Sequence, residues 1–208
     1  MNSIKKEIKL AFVENKNLII FSTLILFISL ILGYVLKPYL FNIFNPVVDD
    51  FTNKIQMGVI QITFHDIFIN NILVVLRMFI FGLFFCSSAL ILSFNGFFTG
   101  YYLATVPNLK FALILIIPHG IFEFPSCILG CASGFILFKF VYALIRTFIK
   151  EKEKKFFSRI VYAYSENFNL LLQAFIILAV ASVLMAVAGI VECYITLPLG
   201  KYLMSVLS

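Results

Sequence analysis

A histidine, a glutamate and two prolines lie within a strongly apolar stretch, residues 117–125, which reads I-P-H-G-I-F-E-F-P. His119 and Glu123 are four residues apart, so on a helix their side chains share one face. Such a pair could act in catalysis or hold helices together by a polar contact. Pro118 suits the first position of a helix, and Pro125 ends or kinks one. We therefore expect a broken half-helix that faces the bundle interior or a cavity, away from lipid.

Enzyme chemistry has little support in the sequence. A helical zinc hydrolase carries H-E-x-x-H, whereas this chain has a single His-x-x-x-Glu and one other histidine, His65. No G-x-S-x-G motif, no Ser–Lys pair at a convincing spacing and no second carboxylate beside Glu123 in sequence points to nucleophilic catalysis. We expect a protein without catalytic residues, metal or cofactor.

The composition indicates an integral membrane protein. Of the 208 residues, 62% are apolar and 12% are charged, and the mean hydropathy is +1.05. Soluble proteins average roughly 45–50% apolar and about 25% charged residues. The net charge of +6 does not indicate nucleic-acid binding, because the basic residues flank apolar runs. Thiols inside such runs usually pack as small apolar groups, and the four cysteines do lie there: Cys86, Cys127, Cys131 and Cys193.

Five apolar segments meet or approach the roughly 17–25 helical residues that one bilayer crossing requires. They predict an all-α, polytopic transmembrane bundle. No Gly- or Ser-rich linker divides the chain, so residues 1–208 are expected to form a single membrane domain. The third segment is short and contains Pro118, so a broken or re-entrant span is expected there. The segments are 18–36, 72–94, 109–124, 126–149 and 170–195.

Three segments between the spans have apolar residues at helical spacing and polar residues on the other side: the amino-terminal segment, the outer loop at 44–62 and residues 157–168. They predict amphipathic helices that either bind at the lipid bilayer surface or only connect the spans and pack on the bundle. Lys and Arg concentrate in the amino-terminal segment and in residues 146–159, and such residues stay on the cytoplasmic side. We therefore expect a multi-pass protein of the cell membrane. With five crossings, its amino terminus is cytoplasmic and its carboxyl terminus is outside the cell. Residues 37–71 are then outside and residues 95–108 inside.

Three ionisable side chains lie well within predicted spans: Arg77, Glu123 and Glu192. A charge in hydrocarbon costs about 2.5–3.5 kcal/mol on insertion scales, so each requires a partner or water. The predicted topology places all three in the outer half of the bundle. We expect Arg77 to pair with one or both carboxylates and to join His119 in an internal polar cluster.

Small residues at spacings of four suggest close helix packing at two places. The first follows Asn95, with Gly96 and Gly100, and the second has Gly130 and Gly134. Such packing could occur within one chain or between two copies.

The run Asn95-Gly96-Phe97, the later run Pro118-His119-Gly120-Ile121-Phe122-Glu123-Phe124-Pro125, and Gly130 with Gly134 resemble the signature of the stage II sporulation protein M family. Phe124 stands where the family pattern commonly has Leu. The resemblance implies a small multispan membrane protein. The family's namesake holds together partner proteins that degrade peptidoglycan during engulfment, and relatives occur in organisms that make no spores. A scaffold or envelope-remodelling role, centred on His119 and Glu123, is therefore implied.

Two functions are favoured by the sequence, and a third, intramembrane hydrolysis, would require a second catalytic group beside Glu123 in space. One is a non-enzymatic scaffold, as a homodimer or with membrane or envelope partner proteins, in which the polar cluster fixes the broken helix. The alternative is a transporter or lipid-handling protein in which the same cluster lines a water-accessible cavity that opens outward.

Overall fold

The computed structural model describes residues 2–56, 64–153, 155–196, 198–200 and 202–203. Within these residues the chain is helical, which confirms the predicted all-α fold. A π-helical segment, Glu192–Thr196, directly follows the last of the α-helices. The α-helices are α1 (Asn2–Glu14), α2 (Lys16–Val35), α3 (Lys37–Gln56), α4 (Phe64–Phe81), α5 (Phe85–Thr105), α6 (Leu109–Lys150) and α7 (Phe156–Val191).

Four segments of the described chain are long and apolar enough to cross a membrane. They are Lys16–Val35, Phe64–Phe81, Leu109–Lys150 and Phe156–Gly200. The predicted count of five spans is therefore not confirmed. The predicted surface helix at 157–168 forms the first turns of α7. Part of the predicted helix at 44–62 belongs to α3, and its residues 57–62 lie outside the described residues.

The predicted break at Pro125 is not found, because α6 is a continuous helix of 42 residues. A proline removes one backbone hydrogen bond, and packing within a helix bundle can compensate for that loss. At 1.5 Å per residue, α6 extends about 63 Å, roughly twice the thickness of a hydrocarbon core. The predicted spans 109–124 and 126–149 are thus two parts of one helix, which must tilt or project beyond the core.

The predicted span 72–94 is instead divided between α4 and α5, which meet at a short turn. The backbone N–H of Gly82 donates to the carbonyls of Met78 and Phe79. The Ser88 hydroxyl, in the first turn of α5, donates back to the Met78 carbonyl. Apolar residues continue through this turn, which is why hydropathy alone merges the two helices.

Helices α2 and α5 lie side by side and run in the same direction. A β-carbon at Gly100 would overlap the Leu30 carbonyl. Just after the end of α2, Lys37 Nζ donates to the carbonyl of Ala104 near the end of α5, at 2.8 Å. The segments that follow α2 and α5 therefore lie at the same end of the bundle. The prediction that they occupy opposite sides of the membrane is wrong.

Helices α6 and α7 form an antiparallel hairpin. Near its middle, Ser126 Oγ donates to the Ala181 carbonyl at 2.7 Å. Near its turn, Asn167 Nδ2 donates to Thr147 Oγ1 at 3.1 Å. Residues 126–137 of α6 are all buried, so this part of α6 is surrounded by the other helices, as expected of a segment without a polar face.

The amino-terminal basic segment and the basic turn between α6 and α7 lie toward one end of the bundle. Asn15, between α1 and α2, is buried and donates to Gln173 Oε1 at 2.8 Å. Gln173 donates in turn to the Glu14 carboxylate. These contacts attach α1 to α7 beside the predicted cytoplasmic segments, and we refer to this end as the basic end.

Candidate functional site

A polar cluster forms where α6 passes the end of α7. His119 and Glu123 come from α6, and Glu192 comes from the π-helical segment. His119 Nε2 lies 3.8 Å from Glu123 Oε2. One nitrogen or oxygen atom of each of the three side chains lies within 4.8 Å of the others. The fold therefore brings together three of the predicted site residues, and we call these three the polar cluster.

The hairpin and the π-helical segment position the third member of the polar cluster. The antiparallel pairing of α6 with α7 aligns the carboxyl end of α7 with the first third of α6. The backbone N–H of Glu192 bonds to the carbonyls of Ala188 and Gly189. A π-helix takes more residues per turn than an α-helix, so residues four apart within it, Glu192 and Thr196, lie nearly one turn apart on a common face. Thr196 is buried and also contacts His119.

The His119 imidazole contacts a hydroxyl group of the π-helical segment. Its Nδ1 lies 3.4 Å from Thr196 Oγ1. The side chains of His119 and Glu123 are only 13% and 21% exposed. The cluster is thus largely enclosed, with limited access from outside.

Arg77 does not join the polar cluster. Its side chain is exposed, and among the described residues no ion pair links it to Glu123 or Glu192. The neighbouring Met78 contacts Gly134, which is three turns of α6 beyond Glu123, or about 16 Å along the axis. The predicted partner therefore lies at a different depth, because α4 begins earlier than the predicted span.

The two prolines and the glycine of the run from Pro118 to Pro125 lie within α6 and outside the polar cluster. Pro118 and Pro125 are half-buried within the continuous α6. Gly120 is buried, and a β-carbon there would meet the ring of Phe124 at 3.5 Å. This is an ordinary van der Waals contact, so Gly120 does not permit a close approach of another helix.

Glycines let two pairs of helices approach until their backbones touch, and we call these contacts the glycine seams. In the seam between α2 and α5, a β-carbon at Gly33 would overlap the Phe97 carbonyl, and one at Gly96 would overlap Ser29 Oγ. Asn95 lies next to this seam and is half-buried. The seam between α4 and α6 contains Gly82, Gly130 and Gly134.

Sequence reasoning missed several residues of these contacts. The spacing Ser29-x-x-x-Gly33 is the same small-x-x-x-small pattern that identified Gly96 and Gly100, so it could have been recognised. Thr196 carries no such signal, because its role depends on the π-helical segment. Cys127, which the sequence predicted to pack as a small apolar group, is buried four residues after Glu123 on the same face of α6.

The polar cluster could hold a metal ion, a possibility that the sequence did not indicate. Two carboxylates and one imidazole offer three ligand atoms to a single ion. His119 and Glu123 alone are one pair on one helix, and nothing in the sequence places Glu192 beside them. Without a metal, the same groups can form a polar contact between α6 and the segment after α7.

Comparison with known proteins gives one family and two archaeal relatives. The sequence profile of the stage II sporulation protein M family matches residues 19–197. The chain is 29% identical to the uncharacterized protein MJ0706 of Methanocaldococcus jannaschii, over 96% of this chain and 91% of that protein. It is 30% identical to the uncharacterized protein MJ0793 of the same organism, over 70% of this chain and 78% of that protein. No solved structure matches the chain.

Proposed function

Because the chain belongs to the stage II sporulation protein M family, we propose that it is a non-enzymatic, multispan scaffold of the cell envelope. The family matches most of the chain, and the apolar helices fit a membrane protein. A scaffold requires a fixed arrangement of helices and an outer surface on which partner proteins can assemble.

The observation that carries this proposal is the backbone contact in the glycine seams. At Gly33, Gly100 and Gly134, the neighbouring helix leaves no room for a β-carbon. Helices in such contact cannot slide or rotate without losing packing on both sides. The bundle is therefore suited to holding partners in place, and less suited to the rocking motions of an alternating-access transporter.

The outer surface supports the same function. Many large apolar side chains point away from the bundle, among them Phe94 on α5, Ile121 on α6 and Val183 on α7, each more than 60% exposed. In a membrane such faces contact lipid, a second copy of the chain or partner helices.

The proposed orientation follows from the distribution of charge. Lys and Arg flank the basic end, which we assign to the cytoplasm. If α5 is counted with the four candidate spans, α2, α4, α5, α6 and α7 run in alternating directions from the basic end, and the end of α7 lies outside in this orientation. The polar cluster then lies near the outer surface, since Glu123 is 23 residues, or about 35 Å, from Arg146 at the basic end.

Site-specific photo-cross-linking in cells tests the scaffold. A photoreactive amino acid is placed at Phe94, Ile121 or Val183 in turn, and at the fully buried Leu92 as a control. We expect a discrete adduct with one partner protein from at least one exposed face, and none from Leu92. That partner should also leave its high-mass complex on native gels when the gene is deleted. Adducts with lipid alone from every face, and an unchanged complex after deletion, would contradict the proposal.

A transporter or lipid-handling function is the competing class, and cysteine labelling separates it from the scaffold. A single cysteine replaces His119 in a protein whose four native cysteines are changed to alanine. The polar cluster is largely enclosed, so a scaffold should react slowly with a water-soluble maleimide. Rapid labelling from the outside, comparable with a cysteine at the exposed His65, would favour a water-filled cavity.

A further inference from the structure

We propose that His119, Glu123 and Glu192 bind a divalent first-row transition metal ion of the zinc class. The inference concerns the polar cluster, and it rests on the proposed function only for the role of the ion in the scaffold. Three features carry it: the geometry of the ligand atoms, the charge of the cluster, and the orientation of the imidazole.

The ligand atoms are close to the separation that a metal imposes. Zinc bonds to nitrogen and oxygen ligands at about 2.0–2.1 Å in a tetrahedron, which places neighbouring ligand atoms about 3.3 Å apart. His119 Nε2 and Glu123 Oε2 are 3.8 Å apart, and all three ligand atoms lie within 4.8 Å of one another. The separations exceed that distance by about 0.5–1.5 Å, a displacement of the size that rotation about side-chain bonds produces.

The cluster combines two carboxylates with one imidazole and, among the described residues, with no lysine or arginine. Among the described residues, no lysine or arginine forms an ion pair with Glu123 or Glu192, and the predicted partner Arg77 is exposed on another part of the bundle. Acidic groups among apolar neighbours require a compensating charge or a proton. A divalent ion would neutralise both carboxylates at once.

The imidazole is held as a metal-binding histidine usually is. A ligating histidine donates its other ring N–H to an oxygen atom, which fixes the ring and its tautomer. His119 has such an oxygen on the Nδ1 side, the Thr196 hydroxyl at 3.4 Å. With the proton on Nδ1, Nε2 keeps its lone pair on the side of Glu123.

The set of ligands selects the class of ion. Magnesium and calcium prefer six or more oxygen ligands, and an imidazole suits them poorly. One imidazole and two carboxylates suit zinc, and iron or manganese can use the same set. Three protein ligands leave one coordination position open to water. The side chains of His119 and Glu123 are largely but not completely enclosed, so the cluster is not sealed against the entry of an ion.

Such an ion would fasten the segment after α7 to α6. Glu192 and Thr196 come from the π-helical segment, whereas His119 and Glu123 come from α6. Binding in the folded state but not in the unfolded state stabilises the fold. In the scaffold, the metal would hold this outer end of the hairpin in one geometry.

Zinc stoichiometry on the isolated protein tests the site. The full chain is purified without a polyhistidine tag in mild detergent, stripped with a chelator and dialysed against micromolar zinc. Metal content is measured by mass spectrometry, and cobalt replaces zinc for visible absorption. We expect one zinc per chain and a cobalt spectrum typical of a tetrahedral site. Magnesium should neither replace zinc nor compete with it.

Variants assign the zinc to its ligands. H119A, E123Q and E192Q should each lose stoichiometric zinc. T196V should weaken binding by about tenfold or more, because orienting partners of a ligating histidine contribute about 10–100-fold. H65A is the matched control, since His65 also lies 3.8 Å from a carboxylate, that of Asp66, but with an exposed side chain. It should keep full binding.

Two results would overturn the proposal: a wild-type protein that is folded and monodisperse yet retains no zinc, or H119A and E192Q proteins that retain as much zinc as wild type. The wild-type titration decides the matter even if a variant fails to fold. Because it uses the isolated chain, loss of zinc would leave the cross-linking test of the scaffold untouched, and absence of a partner would leave the zinc result untouched.

Discussion

The glycine seams and the polar cluster join helices by different physical means and at different depths. In the seams, small residues let backbones touch where α2 passes α5 and where the end of α4 meets α6. In the cluster, three side chains reach across a gap near the carboxyl end of α7. The seams therefore depend on shape, whereas the cluster depends on charge and protonation.

This difference predicts how each region responds to change. A backbone contact has no room to relax, so any added volume displaces a helix. Side chains that meet across a gap can rotate, accept a ligand or be replaced by a neutral group of the same shape. We therefore expect the seams to dominate stability and the cluster to give a response that depends on conditions.

The largest effect should come from G100L, which places a side chain against the Leu30 carbonyl. Overpacking usually costs about 1–3 kcal/mol and more where the backbone cannot move, so we expect about 3 kcal/mol or more. Most of the protein should be lost from the monodisperse fraction on size exclusion in detergent. G120A is the matched control, because its β-carbon has space and alanine favours the helix by about 1 kcal/mol. Equal losses in both variants would show that the effect does not depend on the seam, and full recovery of G100L would show that the seam is not rigid.

The second effect should come from E123Q and depend on zinc. A ligand at 100 times its Kd stabilises the folded state by about 2.7 kcal/mol. We expect zinc to raise the melting temperature of the wild type, and a chelator to reverse the rise. In E123Q zinc should have little effect, because one of the three ligands is missing. A zinc-dependent rise of the same size in E123Q would place the ion elsewhere.

The seams could be predicted in part from the sequence, because their pattern is local. Gly96 with Gly100, and Gly130 with Gly134, identify the faces on which helices approach one another. The partner helix could not be predicted, because a face of small residues can pack against many different apolar helix faces. The family resemblance rests on the same residues and is confirmed by the matched profile.

The span boundaries were harder to predict, because hydropathy measures composition and not backbone geometry. It merged α4 with α5 across Gly82, where no polar residue marks the turn. It divided α6 at Pro125, where the helix continues. One error removed a helix from the count and the other added one, so the number of helices stayed the same. The misplaced start of α4 also gave Arg77 the wrong depth relative to Glu123.

A smaller effect should come from S88A, which tests the turn between α4 and α5. The buried Ser88 hydroxyl donates to the Met78 carbonyl. Removing one hydrogen bond costs about 0.5–1.5 kcal/mol, so we expect a melting temperature lowered by a few degrees without loss of folded protein. The matched control is S165A, whose hydroxyl donates to the Tyr162 carbonyl at an exposed position. If S88A melts with the wild type, the hydroxyl does not hold the turn.

The smallest effect should come from R77M, which removes the side chain that the sequence assigned to the polar cluster. Arg77 is exposed and forms no described ion pair with Glu123 or Glu192, so its replacement should change stability by no more than about 0.5 kcal/mol. Zinc stoichiometry should also stay at the wild-type value. Methionine keeps most of the apolar part of the arginine side chain, so any change in stability would come from loss of the charge. A loss of stability as large as that of E123Q would restore the predicted pairing of arginine with the carboxylates and bring the depth of α4 into question.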